Sequence, residues 1–196
     1  MRTIRTATLI MIAVFGAGAL GGCVEKTQPV PELTFAHSSP ILLNVRVAEI
    51  DSKYRSPGTA PNIEQTVNPT PEAALIKWAQ QRLRSVGTEN VARFTILNAP
   101  LTTEPLPKTS GFVGAFSTEP GQRWTVTVEA QFEILDETGN RVDGYTAKVT
   151  RSRDIAEGLT YEQRNRFWYD LLSATMSEFD SQMDNGIRQH TGRWLR

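Results

Sequence analysis

The 196-residue chain contains one cysteine, Cys23. No disulfide and no thiolate metal site can form within a single chain, so an oxidising compartment is allowed but nothing is stapled. Histidine is almost as scarce, with only His37 and His190. Both flank the patterned part of the chain. Ser-His-acid catalysis and histidine-based metal sites need an imidazole held within hydrogen-bond or coordination reach, and here they lack a candidate. An excess of one charge is missing too, because 21 Lys and Arg balance 21 Asp and Glu. Without a strong field there is no reason to expect nucleic acid as a partner. There is no Gly-x-Ser-x-Gly, no His-Glu-x-x-His, no phosphate-cradling glycine loop and no calcium loop. Glu129 and Glu133 share a strand face, but at about 3.4 Å per residue they stand roughly 13 Å apart. Paired glycosidase carboxylates are at most about 9.5 Å apart. No catalytic residue, metal or cofactor is therefore expected, and an enzyme ranks third among the functional readings.

Long apolar runs are confined to the N-terminus. Arg2 and Arg5 precede an apolar stretch from Ala7 to Leu20, and the small residues Gly18, Ala19, Gly21 and Gly22 lead up to Cys23. At about 15 residues the stretch is short of the roughly 20 that a stable span needs, and its flanks are those of an export signal. Leu20-Gly21-Gly22-Cys23 resembles the lipobox of bacterial lipoproteins. The resemblance implies diacylglyceryl transfer to the Cys23 sulfur, cleavage after Gly22 and acylation of the new amino group with a palmitate-type chain. An uncleaved anchor helix and an ordinary signal peptide are the alternatives. Two or more acyl chains make a stable anchor at about 0.8 kcal/mol per buried methylene. In familiar lipoproteins Asp after the cysteine retains the protein at the inner membrane. Val24 stands there instead, which favours the outer membrane with the domain facing the periplasm and leaves the inner membrane open.

These features divide the chain into a cleaved signal peptide (1–22), a lipidated tether (23–39), a single α+β domain (40–190) and a tail (191–196). Pro29 and Pro31 stiffen the tether. The domain, at about 150 residues, can bury roughly 68–70% of its unfolded surface in one core.

Within the domain, Ile41, Leu43, Val45 and Val47 alternate as a first strand. Residues 51–69 carry Pro57, Gly58, Pro61 and Pro69 and no apolar period, which reads as a functional loop or, more commonly, a mobile excursion. Thr70-Pro71-Glu72 opens a helix whose Leu75, Trp78, Ala79, Leu83 and Val86 form one stripe, with Gly87 as its stop. Trp78 on such a stripe is core rather than a ligand platform. Ala92, Phe94 and Ile96 make a second strand that Pro100 bends or ends, and Leu101 to Leu106 continue at an edge. Residues 108–122 are rich in Gly, Ser and Thr yet carry Phe112, Val113 and Phe116, either a contact site or a cap on the core.

Trp124, Val126, Val128, Ala130, Phe132 and Ile134 alternate without a break, and after a turn at 136–140 so do Tyr145, Ala147 and Val149. The two make a hairpin in which Lys148 faces Glu129 or Glu133. Thr160-Tyr161-Glu162-Gln163 matches a capping box and opens a last helix, whose Trp168, Leu171, Leu172, Met176, Phe179 and Met183 face the sheet. Asn185-Gly186 is its expected end or break.

One-sided strands and one-sided helices are best satisfied by a two-layer α+β sandwich. About four mostly antiparallel strands would carry two amphipathic helices on one face. The other face, with Thr127, Glu129 and Gln131, then looks outward. Together with Phe112, Val113 and Phe116 these residues are the candidate partner contacts. The element order and anchoring are similar to those of small lipoproteins that assist lipid or lipopolysaccharide transport across the Gram-negative envelope, including auxiliary lipoproteins of ABC-type systems. That resemblance implies a non-enzymatic accessory or assembly factor with an envelope protein partner. The alternative is a lipid- or small-ligand-binding module, marked by an apolar cavity between helices and sheet.

Overall fold

The computed structural model describes residues 31–107 and 120–196. Cys23 with its lipobox, and Phe112, Val113 and Phe116, lie outside the described residues. The elements follow as β1 (Ile41–Leu43), β2 (Val47–Ser52), α1 (Pro71–Arg82), β3 (Leu83–Ser85), β4 (Val91–Asn98), β5 (Leu101–Pro105), β6 (Pro120–Leu135), β7 (Arg141–Ala156) and α2 (Tyr161–His190). Among the described residues no helix is long and apolar enough to cross a membrane.

The main sheet is built on β6. β7 pairs antiparallel along its whole length, while on its other side β4 takes the C-terminal half and β5 the N-terminal half. β2 joins β4 in parallel, and β1 and β3 form a separate parallel pair. Among the described residues the mixed α+β class with two α-helices stands, but about four mostly antiparallel strands is corrected to seven, parallel and antiparallel, in two sheets. One cause lies at Val45. The alternation from Ile41 to Val47 continues through it, yet its N–H donates to the Leu43 carbonyl at 2.8 Å and the chain turns there. One alternating run thus serves two sheets. A second is Pro100, which separates β4 from β5 as expected, since proline has no N–H to give a ladder, and a third is Leu83–Ser85, which pairs with β1 instead of continuing the helix.

Trp124, Val126, Val128, Ala130, Phe132 and Ile134 are all buried on one face, joined by Phe94, Ile96, Ala147 and Val149 from the neighbouring strands. Both helices pack there. Trp78 of α1 lies 5.3 Å, centroid to centroid, from Phe94. Phe179 of α2 stands edge-on to both rings, and Phe167 and Trp168 meet Trp124 at the far end of the layer. These side chains pack in the space between helices and sheet, where the binding-module reading places a cavity.

α1 begins as the sequence implies, with the Thr70 hydroxyl accepting from the Ala73 N–H at 3.1 Å, but it ends at Arg82. Leu83 and Val86 therefore leave the buried stripe, because Leu83–Ser85 is drawn off to pair with β1, and Val86 is exposed. α2 starts with the expected reciprocal box between Thr160 and Gln163. It does not stop at Asn185-Gly186 but runs on to His190. Gly186 is instead a point of close approach, since a Cβ there would lie 2.1 Å from the Tyr145 ring.

A buried guanidinium ties the helical layer together. Arg82, 4% exposed, donates through Nε to Asp180 Oδ1 at 2.7 Å, through Nη2 to Asp184 Oδ1 at 2.8 Å and through Nη1 to the Ser39 carbonyl. The Trp78 indole N–H shares Asp180 Oδ1 at 2.7 Å. Burial pushes the Asp184 carboxyl up, but Arg188 and Arg82 outweigh it and hold the group below the usual range.

Packing extends past both expected boundaries of the domain. Leu33 and Phe35 are buried in the core, and the Phe35 N–H donates to Gln81 Oε1 at 2.7 Å. At the other end, the Asn44 N–H donates to the Trp194 carbonyl at 2.7 Å and the Arg196 N–H to the Leu42 carbonyl at 3.0 Å. The 51–69 segment is pinned rather than loose, with the Thr103 N–H donating to the Pro61 carbonyl and the Ile63 N–H to the Leu101 carbonyl. Its Glu64 is 3% exposed and accepts from the hydroxyls of Tyr54 at 2.5 Å and Ser56 at 2.6 Å. Burial pushes Glu64 up, yet these donors bring it below its ordinary value, while burial and Glu64 push Tyr54 well up.

Three outcomes follow from this packing. Arg82→Ala leaves Asp180 with only the Trp78 indole and a Ser38 hydroxyl and Asp184 with only Arg188, and is expected to lower stability by about 3 kcal/mol, whereas Arg93→Ala on the open sheet changes it by about 1 kcal/mol or less; urea unfolding measures both. Gly186→Ala overpacks Tyr145 and is expected to cost about 1–3 kcal/mol, read as a lowered Tm. For pH, the folded pKa values of Asp184 and Glu64 lie below those of the unfolded chain, so the unfolded state takes up protons first as pH falls. Stability is full above the ordinary carboxylate range near pH 4 and declines as pH drops below it. A Tm that does not fall between pH 5 and 3 contradicts this.

Candidate functional site

β6 carries its apolar side chains to the helices at even positions and its polar ones to the opposite face at odd positions, because successive strand residues alternate sides. Register extends this polar face across the neighbouring strands. Among the described residues neither helix packs on it. The three sequence-derived contacts described here, Thr127, Glu129 and Gln131, lie in succession along its middle and are half-buried by their cross-strand neighbours.

Rows of charge and rows of neutral polar groups cross the strands. At one end Arg93 of β4 pairs with Glu49 of β2 at 3.1 Å and stands opposite Glu133, which pairs with Arg141 at 3.4 Å. Next, Gln131 lies between Thr95 and Thr146 by register. Glu129 then accepts from Asn98 Nδ2 at 2.7 Å and pairs with Lys148 at 3.3 Å, the pairing expected from the hairpin. Hydroxyls follow, Thr127 with Thr150 at 2.9 Å and Thr125 with Ser152 at 2.8 Å. The last row is Glu104, Arg123 and Asp154, the latter two joined by bonds of 2.7 and 3.1 Å.

The electrostatics are local. The Asn98 amide lowers the Glu129 carboxyl below its usual range against an opposing push from burial, with Lys148 adding to the lowering. Arg123 holds Asp154 down in the same way. Each charge has an opposite or amide partner within reach, so no strong field of one sign accumulates. Exposed pairs of this kind are worth about 0–1 kcal/mol each and exchange readily with incoming groups. Among the described residues no cluster of three or more His, Cys, Asp or Glu is placed to hold a metal ion. His37 is exposed on the entering chain, and His190 stacks on Tyr145 at 5.3 Å.

Sequence reading located this face only along β6. Asn98, Arg93 and Glu49 belong to it as well. The alternation of Arg93 and Thr95 between apolar residues was the available signal for β4, whereas β2 required knowledge of the sheet order.

Neither a protein-family model nor a curated protein matches the chain. Several solved structures are similar to it. A minor lipoprotein from Acinetobacter baumannii is 14% identical with a TM-score of 0.38, covering 78% of this chain and 96% of that one. The rare lipoprotein B from Shewanella oneidensis is 10% identical with a TM-score of 0.29, over 70% and 98% of the two chains. A dodecameric PelC variant from Paraburkholderia phytofirmans is 13% identical with a TM-score of 0.21, over 71% and 90%. Two of the three are named as lipoproteins.

Asn98→Ala removes the largest influence on Glu129. The Glu129 carboxyl is then expected to titrate closer to its ordinary range, measured by carboxyl-carbon NMR, and an unchanged titration would remove Asn98 from this account.

Proposed function

We propose that the protein is a non-enzymatic accessory factor of a bacterial envelope complex. It is held on its membrane by lipid on Cys23 and offers the polar sheet face to an envelope protein. The outer membrane with a periplasm-facing domain is the favoured placement, from Val24. A component of lipid or lipopolysaccharide transport is the favoured partner, from element order and anchoring.

The observation that carries the proposal is the one-sidedness of the sheet. A layer that buries one face behind two helices leaves the other as a broad surface of satisfied polar groups. From Arg123 to Glu133 the rows repeat about every 6.8 Å, and strands lie about 4.8 Å apart, so the face spans roughly 35 by 20 Å. That approaches the ~800 Å² per partner of a standard interface. Anchoring gives the face a location. The core begins at Leu33, ten residues after Cys23, and ten residues reach at most about 33–36 Å. A domain so tethered works close to the membrane surface.

Two measurements check this. Cys23→Ala is expected to leave an unprocessed precursor or a protein released from membranes; a processed product that still fractionates with membranes defeats the anchor. Glu129→Arg combined with Gln131→Arg places two new positive charges in the middle of the face. Capture of an envelope protein by the full-length chain should then fall, while the Tm moves by only the few degrees that about 1 kcal/mol produces. Undiminished capture would remove the sheet face as the docking surface.

A further inference from the structure

A cleft of ≈ 440 Å³ opens where the chain enters the domain, walled by Pro31, Leu33, Pro69, Ala73 and Tyr169 and by the polar Glu32, Asn68 and Lys77 at its rim. Its volume is within the roughly 300–1,000 Å³ of small-molecule sites. The walls are set by the fold. Leu33 is buried in the core, and the Trp168 indole N–H donates to the Pro69 carbonyl at 2.9 Å. The space itself exists because Ala73 and its neighbour Ala74 are small. Lys77 pairs with Glu32, whose side chain is 85% exposed. A pair this open is weakly held and readily gives its cation to another anion.

We infer that this cleft binds one acyl chain of a membrane phospholipid, with the headgroup phosphate at Lys77. Pro31, Leu33, Pro69 and Tyr169 give a hydrocarbon chain apolar contact, and Lys77 at the rim, once it leaves Glu32, meets the phosphate that glycerol links to that chain. Position supplies the source. Pro31 is eight residues from Cys23, a reach of at most about 26–29 Å, so the cleft stands within a short tether of the bilayer. The inference rests on the Cys23 anchoring proposed above.

The test uses the full-length lipidated protein in vesicles of phosphatidylglycerol doped with a phospholipid carrying a diazirine on its acyl chain. After irradiation, adducts are mapped by mass spectrometry, and pelleting with the vesicles is scored in the same sample. Adducts are expected on the peptides holding Leu33, Ala73 and Tyr169. Ala73→Trp fills the cleft from an exposed helix position and should reduce those adducts several-fold, with Tm and pelleting unchanged. Lys77→Glu should reduce labelling several-fold by a phosphatidylglycerol probe and by a phosphatidylcholine probe alike, since both carry the phosphate, and undiminished labelling by both would remove Lys77 from the site. Pelleting with no adducts in the cleft overturns the inference and leaves the anchor standing, as does cleft labelling that Ala73→Trp leaves unchanged. Labelling of the cleft in a protein that fails to pellet supports it and defeats the anchor instead.

Discussion

The arrangement depends on a single buried cation. Arg82 leaves the last turn of α1, and its guanidinium joins two carboxylates on α2 to a backbone carbonyl of the entering chain. A buried charge is tolerated only where its partners are fully in place. The two helices and the chain entry must therefore take up one mutual geometry or none. A planar fork with donors in several directions is needed, which lysine cannot supply. The Trp78 indole, bonded to the same Asp180, extends this constraint into the aromatic core.

A helical layer locked in this way leaves the sheet asymmetric. β6 is long enough to pair with β7 along one edge and with β4 and β5 end to end along the other. Its alternate residues thus separate two environments across the whole sheet, one dry and aromatic, the other wet and rich in paired charges and hydroxyls. On the docking role proposed for the wet face, recognition would exchange weak cross-strand pairs for intermolecular ones. Stability resides on the opposite side. Substitutions that alter binding can then leave the fold intact, as the role of a docking surface requires.

Much of this was legible from spacing alone: the β6–β7 hairpin, both helix starts, the bend at Pro100 and the outward position of Thr127, Glu129 and Gln131. The remainder depended on distant contacts. Val45 continues an apolar alternation, so nothing local shows that the chain turns there to serve two sheets. Gly186 reads as a stop unless the Tyr145 ring beside it is known. Nothing local marks Arg82, because its acids lie 98 and 102 positions away in sequence. Leu33 and Phe35 sit among prolines and polar residues, yet α1 offers them an apolar surface and Gln81 an acceptor. The last six residues are too few to show a period, although they add to the edge of β1.

The most direct test of the central claim is site-specific photo-crosslinking in intact cells, from Gln131 on the open sheet face and from Ser181 on the exposed side of α2. The account predicts a discrete adduct with an envelope protein from Gln131, none from Ser181, and loss of the Gln131 adduct when Cys23 is replaced. Adducts of equal yield from both positions, or none from Gln131, would contradict it.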